Sequence, residues 1–560
     1  MNKILKRKGT ALLLCLLLVV SSLSACKGKE TSSKESEKTT QGTEEEKQEN
    51  GKQGTREGDG EEVLEELPTP LTEEKETLRV YTLYSNSYVE DPNDLPGIQA
   101  MEEATNVHIE WITYTLDQSS EKWGLLLSSG NIPDLMYPAM DEVYTGGAEK
   151  AVEDGIFMDC TELVEKYMPN YRRLIHSTEE LEKDTKTDDG RLISIYGLNC
   201  NDNEICAQSQ WSGLVIRRDL LDSFGYTDTP VTIADWDKLL TVAKENGVEA
   251  PLLTGSVGYN YSASFLSAYG VLGDFYNDNG VVKYGAAEEG YRQWVELFRD
   301  WYDRGLLDPN FVSNDAWLTT DNSYAATGKS VAFQYLIPMS GNALYEMGIS
   351  QDEAINLQPV LNPVLNEGDT PRAFNVCSPA SGNEFFMAAD CKNPKLAAMW
   401  MDFLYTDEGM RYNFYGVEGE SYELVNGEIQ LTDMILKNPD YSPSDALSLY
   451  ARGNGIGRYN WGVANHYGNP IYGEYMDYLE ENQDFSLKMP EKASMTGEEG
   501  IEFASLYTGI QTLTREMTVK FIMGMEPMEK YDEFVESLYR FDLQKCIDLK
   551  QAALDRYNER

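Results

Sequence analysis

Leu78-Arg-Val-Tyr-Thr-Leu-Tyr84, followed by Val107-His-Ile-Glu-Trp-Ile-Thr-Tyr114 and Pro133-Asp-Leu-Met-Tyr137, decides the fold. Each run is rich in β-branched and aromatic residues. The stretches between them, 98–105 and 120–128, read as helices, the second ending at Gly130. Strands alternating with helices predict a mostly parallel sheet covered by helices, an α/β fold. A sheet of that kind binds ligands beyond the carboxyl ends of its strands. Asn86 and Asp134 are expected at or near those ends.

Working outward, the middle of the chain is more helical. A strand is expected over 211–217, then a helix over 218–224 closed by Gly225. Thr232 caps the next helix, which runs to Asn246-Gly247. Asp278-Asn279-Gly280 before Val281-Val-Lys-Tyr284 is a hairpin signal. From 287 to 304, Tyr291, Trp294, Val295, Phe298 and Tyr302 fall at helical spacing and read as core. Strands follow at 330–336 and 356–360, a helix at 394–405, and mostly helix from 473 on. The chain from residue 78 onward is too long for one core, so two lobes are expected.

The amino end differs from all of this. Lys3, Lys6, Arg7 and Lys8 precede the apolar run ALLLCLLLVV from Ala11 to Val20, half the roughly 20 residues that span a bilayer. The pattern is a secretory signal over residues 1–25. Leu23-Ser24-Ala25-Cys26 resembles the lipobox of bacterial lipoproteins, which implies cleavage before Cys26 and acylation of its thiol. Two or three acyl chains anchor a protein stably. Residues 26–77 are rich in Glu, Lys, Ser, Thr, Gln and Gly, and read as a disordered tether. The formal charge of −47 lies almost wholly in the body and argues against nucleic acid as a partner. Six cysteines remain beyond the lipobox, Cys200 and Cys206 being the nearest pair. Disulfides are allowed in an exported chain and not required. With His108, His176 and His466 the only histidines and no C-x-x-C, a zinc site is not expected.

Several blocks carry a family resemblance. Gly130-Asn-Ile-Pro-Asp-Leu-Met-Tyr137 is similar to the G-x-x-P-D-(I/L) segment of extracellular solute-binding proteins of ABC importers. Leu214-Val-Ile-Arg-Arg-Asp-Leu-Leu-Asp-Ser-Phe-Gly225, with Thr232 and Trp236, resembles the start of that family's second lobe. Thr327-Gly-Lys-Ser-Val-Ala-Phe333 resembles its return strand. Cys391-Lys-Asn-Pro-Lys-Leu-Ala-Ala-Met-Trp-Met-Asp-Phe-Leu-Tyr405, Thr406-Asp-Glu-Gly409 and Tyr415-Gly-Val-Glu-Gly-Glu-Ser-Tyr422 resemble its tail. The nearest subgroup is the large lipoprotein type of the carbohydrate-binding cluster. The resemblance implies a two-lobed, periplasmic-binding-protein-like fold with a hinge and extra C-terminal helices. Lobe 1 is expected over 78–208 and lobe 2 over 209–329. A return to lobe 1 is expected over 330–375, with lobe 2 and hinge helices over 376–560. It also implies a monomer outside a Gram-positive-type cell that delivers its ligand to permease subunits.

Sites for chemistry are sparse. Gly328-Lys329-Ser330 echoes a phosphate-binding loop, yet Ser323 stands where that loop needs glycine. The Asn/Asp-rich stretch from Phe275 to Gly280 would put Phe275 at the first position of a calcium loop, where it cannot coordinate. Some relatives in the subgroup carry a structural calcium. The acidic loop with Asp184, Asp188 and Asp189 lacks the required spacing but keeps that option open; no other cofactor is expected. No G-x-S-x-G or H-E-x-x-H occurs. Sugars offer apolar faces and polar rims, so aromatic platforms beside amides, carboxylates and arginines suit them. The candidate contacts are Asn86, Asp134, Trp211, Tyr259, Tyr261, Trp317, Tyr422, Tyr459 and Trp461. The expected function is capture of an oligosaccharide, without catalysis. A polysaccharide-active enzyme (glycosidase or lyase) and a surface signalling lipoprotein are the alternatives, since two carboxylates need only meet in space.

Overall fold

A computed structural model describes residues 63–139, 144, 146–200, 206, 209–210, 212–254, 263–313, 327–335, 356–374, 376–453, 457–459 and 478–560. Residues 61–560 form one compact unit, built on two sheets. In the first, the order is Arg458–Tyr459, Ile195–Asn199, Ala380–Met387, Leu135–Met136, Glu76–Leu83, Val107–Tyr114. Glu76–Leu83 pairs in parallel with both Val107–Tyr114 and Leu135–Met136, as the alternating strand and helix pattern predicts. Ala380–Met387 runs antiparallel between Leu135–Met136 and Ile195–Asn199. The helix Pro96–Thr105 connects the first two strands. Its Asn106 cap is left-handed (φ 59°), and Gly97 sits so close to the Tyr412 carbonyl that a Cβ would lie 2.2 Å from it.

The second sheet has the order Leu357–Val360, Gly213–Arg217, Ala332–Tyr335, Leu252–Leu253. Gly213–Arg217 is antiparallel to both neighbours. Its core is aromatic: Trp236, Trp294 and Trp301 are fully buried, and Phe265 meets Trp236 and Trp301 edge-on at 5.1 and 5.4 Å. The helix Ile233–Glu245 opens on a capping box, Thr232 with Asp235, which satisfies two of the otherwise unpaired end groups. On the helix Glu289–Asp303 it is Trp301 that is buried while Tyr302 is only partly so, shifting the last core position by one residue. The helices Gly497–Ile522, Tyr531–Arg540 and Leu543–Glu559 close over this core with Ile510, Phe521, Leu538 and Leu543.

This topology corrects two expected borders. The strands Ala332–Tyr335 and Leu357–Val360 belong to the second sheet, whereas the span 330–375 is expected from the sequence to return to lobe 1. Conversely, 376–560 is divided. Ala380–Met387 and the helix Pro394–Phe403 join the first core, through Phe385, Met387, Trp400 and Phe403, while the three last helices join the second. The reason is physical: a short apolar strand suits either sheet, and only long-range pairing decides which. The chain crosses between lobes at the antiparallel pair Ser209–Gln210 and Val376–Cys377. Just before it, Cys200 and Cys206 form a disulfide.

Candidate functional site

The parallel strands of the first sheet end at Leu83, Tyr114, Met136 and Asn199. Residues just past those ends, together with Ala380–Met387, form an edge rich in phenols and amides. Tyr137 stacks on Phe385 with centroids 5.0 Å apart, and its hydroxyl donates to Asn383 Oδ1 at 2.6 Å. Tyr84 donates to the Val89 carbonyl at 2.8 Å, and Tyr114 to the Tyr137 carbonyl at 2.8 Å. Burial pushes the Tyr137 phenol above its ordinary value, so it is a neutral donor at pH 7. Tyr88, in the loop after the first strand, keeps 45% of its surface exposed and meets Tyr441 edge-on at 5.0 Å. Asn199 is buried, and neither side-chain atom has a hydrogen-bond partner among the described residues.

Arg452 reaches this edge from the far end of the sequence. Its Nη2 donates to Thr82 Oγ1 and, at 3.1 Å, to the Leu83 carbonyl. The guanidinium lies 5.1 Å over the Trp111 ring. Burial holds it down to about 10, opposed by the nearby Tyr137, Tyr84 and Tyr114 phenols, and it remains a full cation at neutral pH.

The sequence-derived candidates divide. Trp211, Tyr259, Tyr261, Trp317 and Trp461, with the lipobox cysteine Cys26, lie outside the described residues. Tyr459 ends the strand Arg458–Tyr459, beside Asn199; its backbone alone is described. Asn86 does lie past the first strand, but as a loop staple: Oδ1 accepts from Tyr88 N (2.9 Å) and Val89 N (3.1 Å), and Nδ2 donates to the Ser448 carbonyl (2.8 Å). The expected position of Asp134 is corrected. It precedes Leu135–Met136 at the amino end, where Oδ2 accepts from Arg79 N at 2.9 Å, because the strand starts only after the Pro133-Asp134 bend. Tyr422 is 2% exposed and packs against Tyr415, Ile429 and Leu431 in a small satellite core. Tyr137, Asn383 and Asn199 went unforeseen. Tyr137 closes the G-x-x-P-D-L-M-Y block and was within reach of that motif; the others carry no local signal.

Two further features lie away from this edge. A cavity of 1030 Å³ lies between Glu149, Tyr196, Glu384, Lys492 and Arg560. Its one aromatic face is covered, with Lys492 Nζ 4.1 Å from the Tyr196 centroid and 2.8 Å from Glu384. It borders the amino end of Ile195–Asn199, through Ile193, Ser194 and Tyr196, and not the carboxyl end where such sheets bind ligands. In the acidic loop, Asp184 accepts from Tyr557 and Ser378, Asp188 from Arg556 and Arg560, and Asp189 from Arg191. These carboxylates serve protein donors and do not fit a calcium ligand set. Among the described residues no group of three or more His, Cys, Asp or Glu could hold a metal.

The family described as bacterial extracellular solute-binding protein matches residues 98–439. This chain belongs to that family. The solute-binding protein is 24% identical over 522 residues to the fructooligosaccharide ABC transporter substrate-binding protein FusA of Streptococcus pneumoniae, covering 88% of this chain and 93% of that one. The solved FusA complex with kestose has a TM-score of 0.66 at 20% identity, over 86% of this chain and 99% of that one. A human-milk-oligosaccharide-binding solute-binding protein from Bifidobacterium longum infantis gives 0.69 at 16%, again over 86% and 99%. These structures share the two-lobed fold. The family binds and does not turn over, so this solute-binding protein is not an enzyme.

Proposed function

We propose that this protein captures an oligosaccharide outside the cell and hands it to the permease of an ABC importer, tethered by lipid on Cys26. The observation that carries the reading is the carboxyl-end edge of the first sheet. Past those strand ends lie the exposed ring of Tyr88, the phenol of Tyr84 and the Tyr137–Asn383 pair, residue types that suit sugar faces and rims. The near full-length likeness to a fructooligosaccharide-binding relative supports it. Trp211, Tyr259 and Tyr261 flank strands of the second sheet in sequence and are proposed as ligand contacts, as are Trp317 and Trp461, with Tyr459 on the edge strand of the first sheet. Closure about the crossing strands would bring the two edges onto the ligand. The acidic body suits a monomer outside the cell with no nucleic-acid partner.

The test is calorimetric titration of the full-length chain in detergent against neutral and acidic oligosaccharides, with the ligand recovered and sized afterwards. Saturable binding of an uncleaved sugar is expected. Shortened product sinks the reading, and so does binding of amino acids or peptides alone.

A further inference from the structure

Arg452 is a buried cation with no anion beside it among the described residues. It is 9% exposed, and among the described residues no carboxylate pairs with it. The groups that act on it electrostatically are the phenols of Tyr137, Tyr84 and Tyr114, of which burial pushes Tyr137 and Tyr84 above their ordinary value. Of its five N–H groups, only those on Nη2 are engaged. Nε is buried without a partner, and Nη1 makes no hydrogen bond among the described residues. Its backbone is pinned on both sides. Gly97 N donates to the Tyr450 carbonyl at 2.9 Å and Gly453 N to the Asn413 carbonyl at 2.9 Å. The guanidinium is thus held in place over the Trp111 ring, at the edge assigned to the ligand.

A buried charge without a counterion is unfavourable, and natural proteins pair such charges or use them. A structural role alone would be served by an uncharged donor to Leu83 and Thr82. In a chain with 94 acidic residues, none of the described ones is spent on this cation. We propose that Arg452 is the specificity determinant for a carboxylate on the captured oligosaccharide, so that the preferred ligand carries a uronic or sialic acid residue. The proposal rests on the oligosaccharide reading above and narrows it. The net charge of −47 limits the ligand further: a polyanionic glycan would be repelled on approach, so a single acidic residue on an otherwise neutral sugar is the fitting class.

The experiment titrates the full-length chain in detergent with matched pairs: glucuronic-acid-bearing xylotetraose against xylotetraose, and sialyllactose against lactose. Each acidic sugar is also tested in its carboxyl-reduced form. At least one acidic member is expected to bind about 30-fold tighter than its neutral and reduced partners, the scale of a charge-assisted hydrogen bond. The preference should shrink as salt rises. Arg452→Met should collapse it to within about threefold, and Arg452→Lys should keep part of it. If the methionine variant does not fold, the lysine variant and the wild-type preference decide. Neutral sugars bound as tightly as acidic ones overturn the carboxylate assignment and leave oligosaccharide capture standing. A preference that survives in Arg452→Met overturns it as well. If no sugar of either charge binds, the broader reading falls with it.

Discussion

The C-terminal helix should act as a clasp between the lobes, and Asp184 should be its keystone. Leu543–Glu559 belongs to the second core through Leu543 and Cys546, whereas Glu179–Thr185 belongs to the first through Leu181. Between them Tyr557 donates to Asp184 Oδ1 at 2.7 Å, and Ser378, next to the crossing strand, donates to Oδ2. Asp184 is 3% exposed. Asp184→Ala leaves two hydroxyls without their acceptor at a cost of about 1–3 kcal/mol each; allowing for hydroxyl rotation, about 3 kcal/mol in all is a fair expectation. Arg556 and Arg560 still reach Asp188 at 3.0 and 2.8 Å, but Arg556 and Asp188 are more than a quarter exposed, and such pairs add about 0–1 kcal/mol. The last turns should then open locally. Amide hydrogen exchange at residues 553–557 is predicted to quicken by about 100-fold, each 1.4 kcal/mol being a factor of ten, while the first-lobe core keeps its protection. Unchanged exchange at those amides in a folded variant would refute the clasp, and a uniform loss of protection would show a global role instead.

Tyr422 should matter to stability and not to binding. Tyr422→Phe is expected to leave every sugar affinity within twofold, and Tyr422→Ala to cost about 3–5 kcal/mol in denaturant unfolding; a specific loss of affinity in the phenylalanine variant would return this residue to the site. Asp402 should give the fold a pH signature. Burial pushes its carboxyl up to about 6, against the N–H groups of Asn170 and Tyr171 that favour the charged form. The folded value lies above the unfolded one of about 3.9, so its contribution is complete below about pH 4 and fades towards pH 6. Relative to Asp402→Asn, the wild type should therefore lose about 2–3 kcal/mol between pH 4 and pH 7, read from paired unfolding curves. A constant difference across that range contradicts the assignment.

The elements with strong local signals were legible in the sequence. Val107–Tyr114 matches its expected bounds, Thr232 caps its helix, and Asp278-Asn279-Gly280 turns the hairpin with φ of 54° at Asn279 and 89° at Gly280. What the sequence hid is long-range. Ala380–Met387 carries Gly382 and Asn383 within it, which breaks the alternation that marks a strand, and its place in the first sheet rests on partners some 250 positions earlier, at Leu135–Met136. The same holds for the site. Asn86 and Asp134 were chosen for their nearness to strands, and the structure spends both on backbone donors. Arg452 meets Thr82 across 370 residues, and no motif around Tyr450-Ala-Arg-Gly453 announces it. That no carboxylate stands beside it among the described residues is a property of the packed structure, which the sequence does not display.

Uptake is the measurement that bears most directly on capture for import. Cells of the source bacterium lacking this gene, supplied with the labelled oligosaccharide found to bind, should take up label only at background rate. The wild-type gene should restore import, and the purified protein should return the same sugar uncut. Undiminished uptake in the deleted cells, or a cleaved sugar recovered from the protein, would contradict the account.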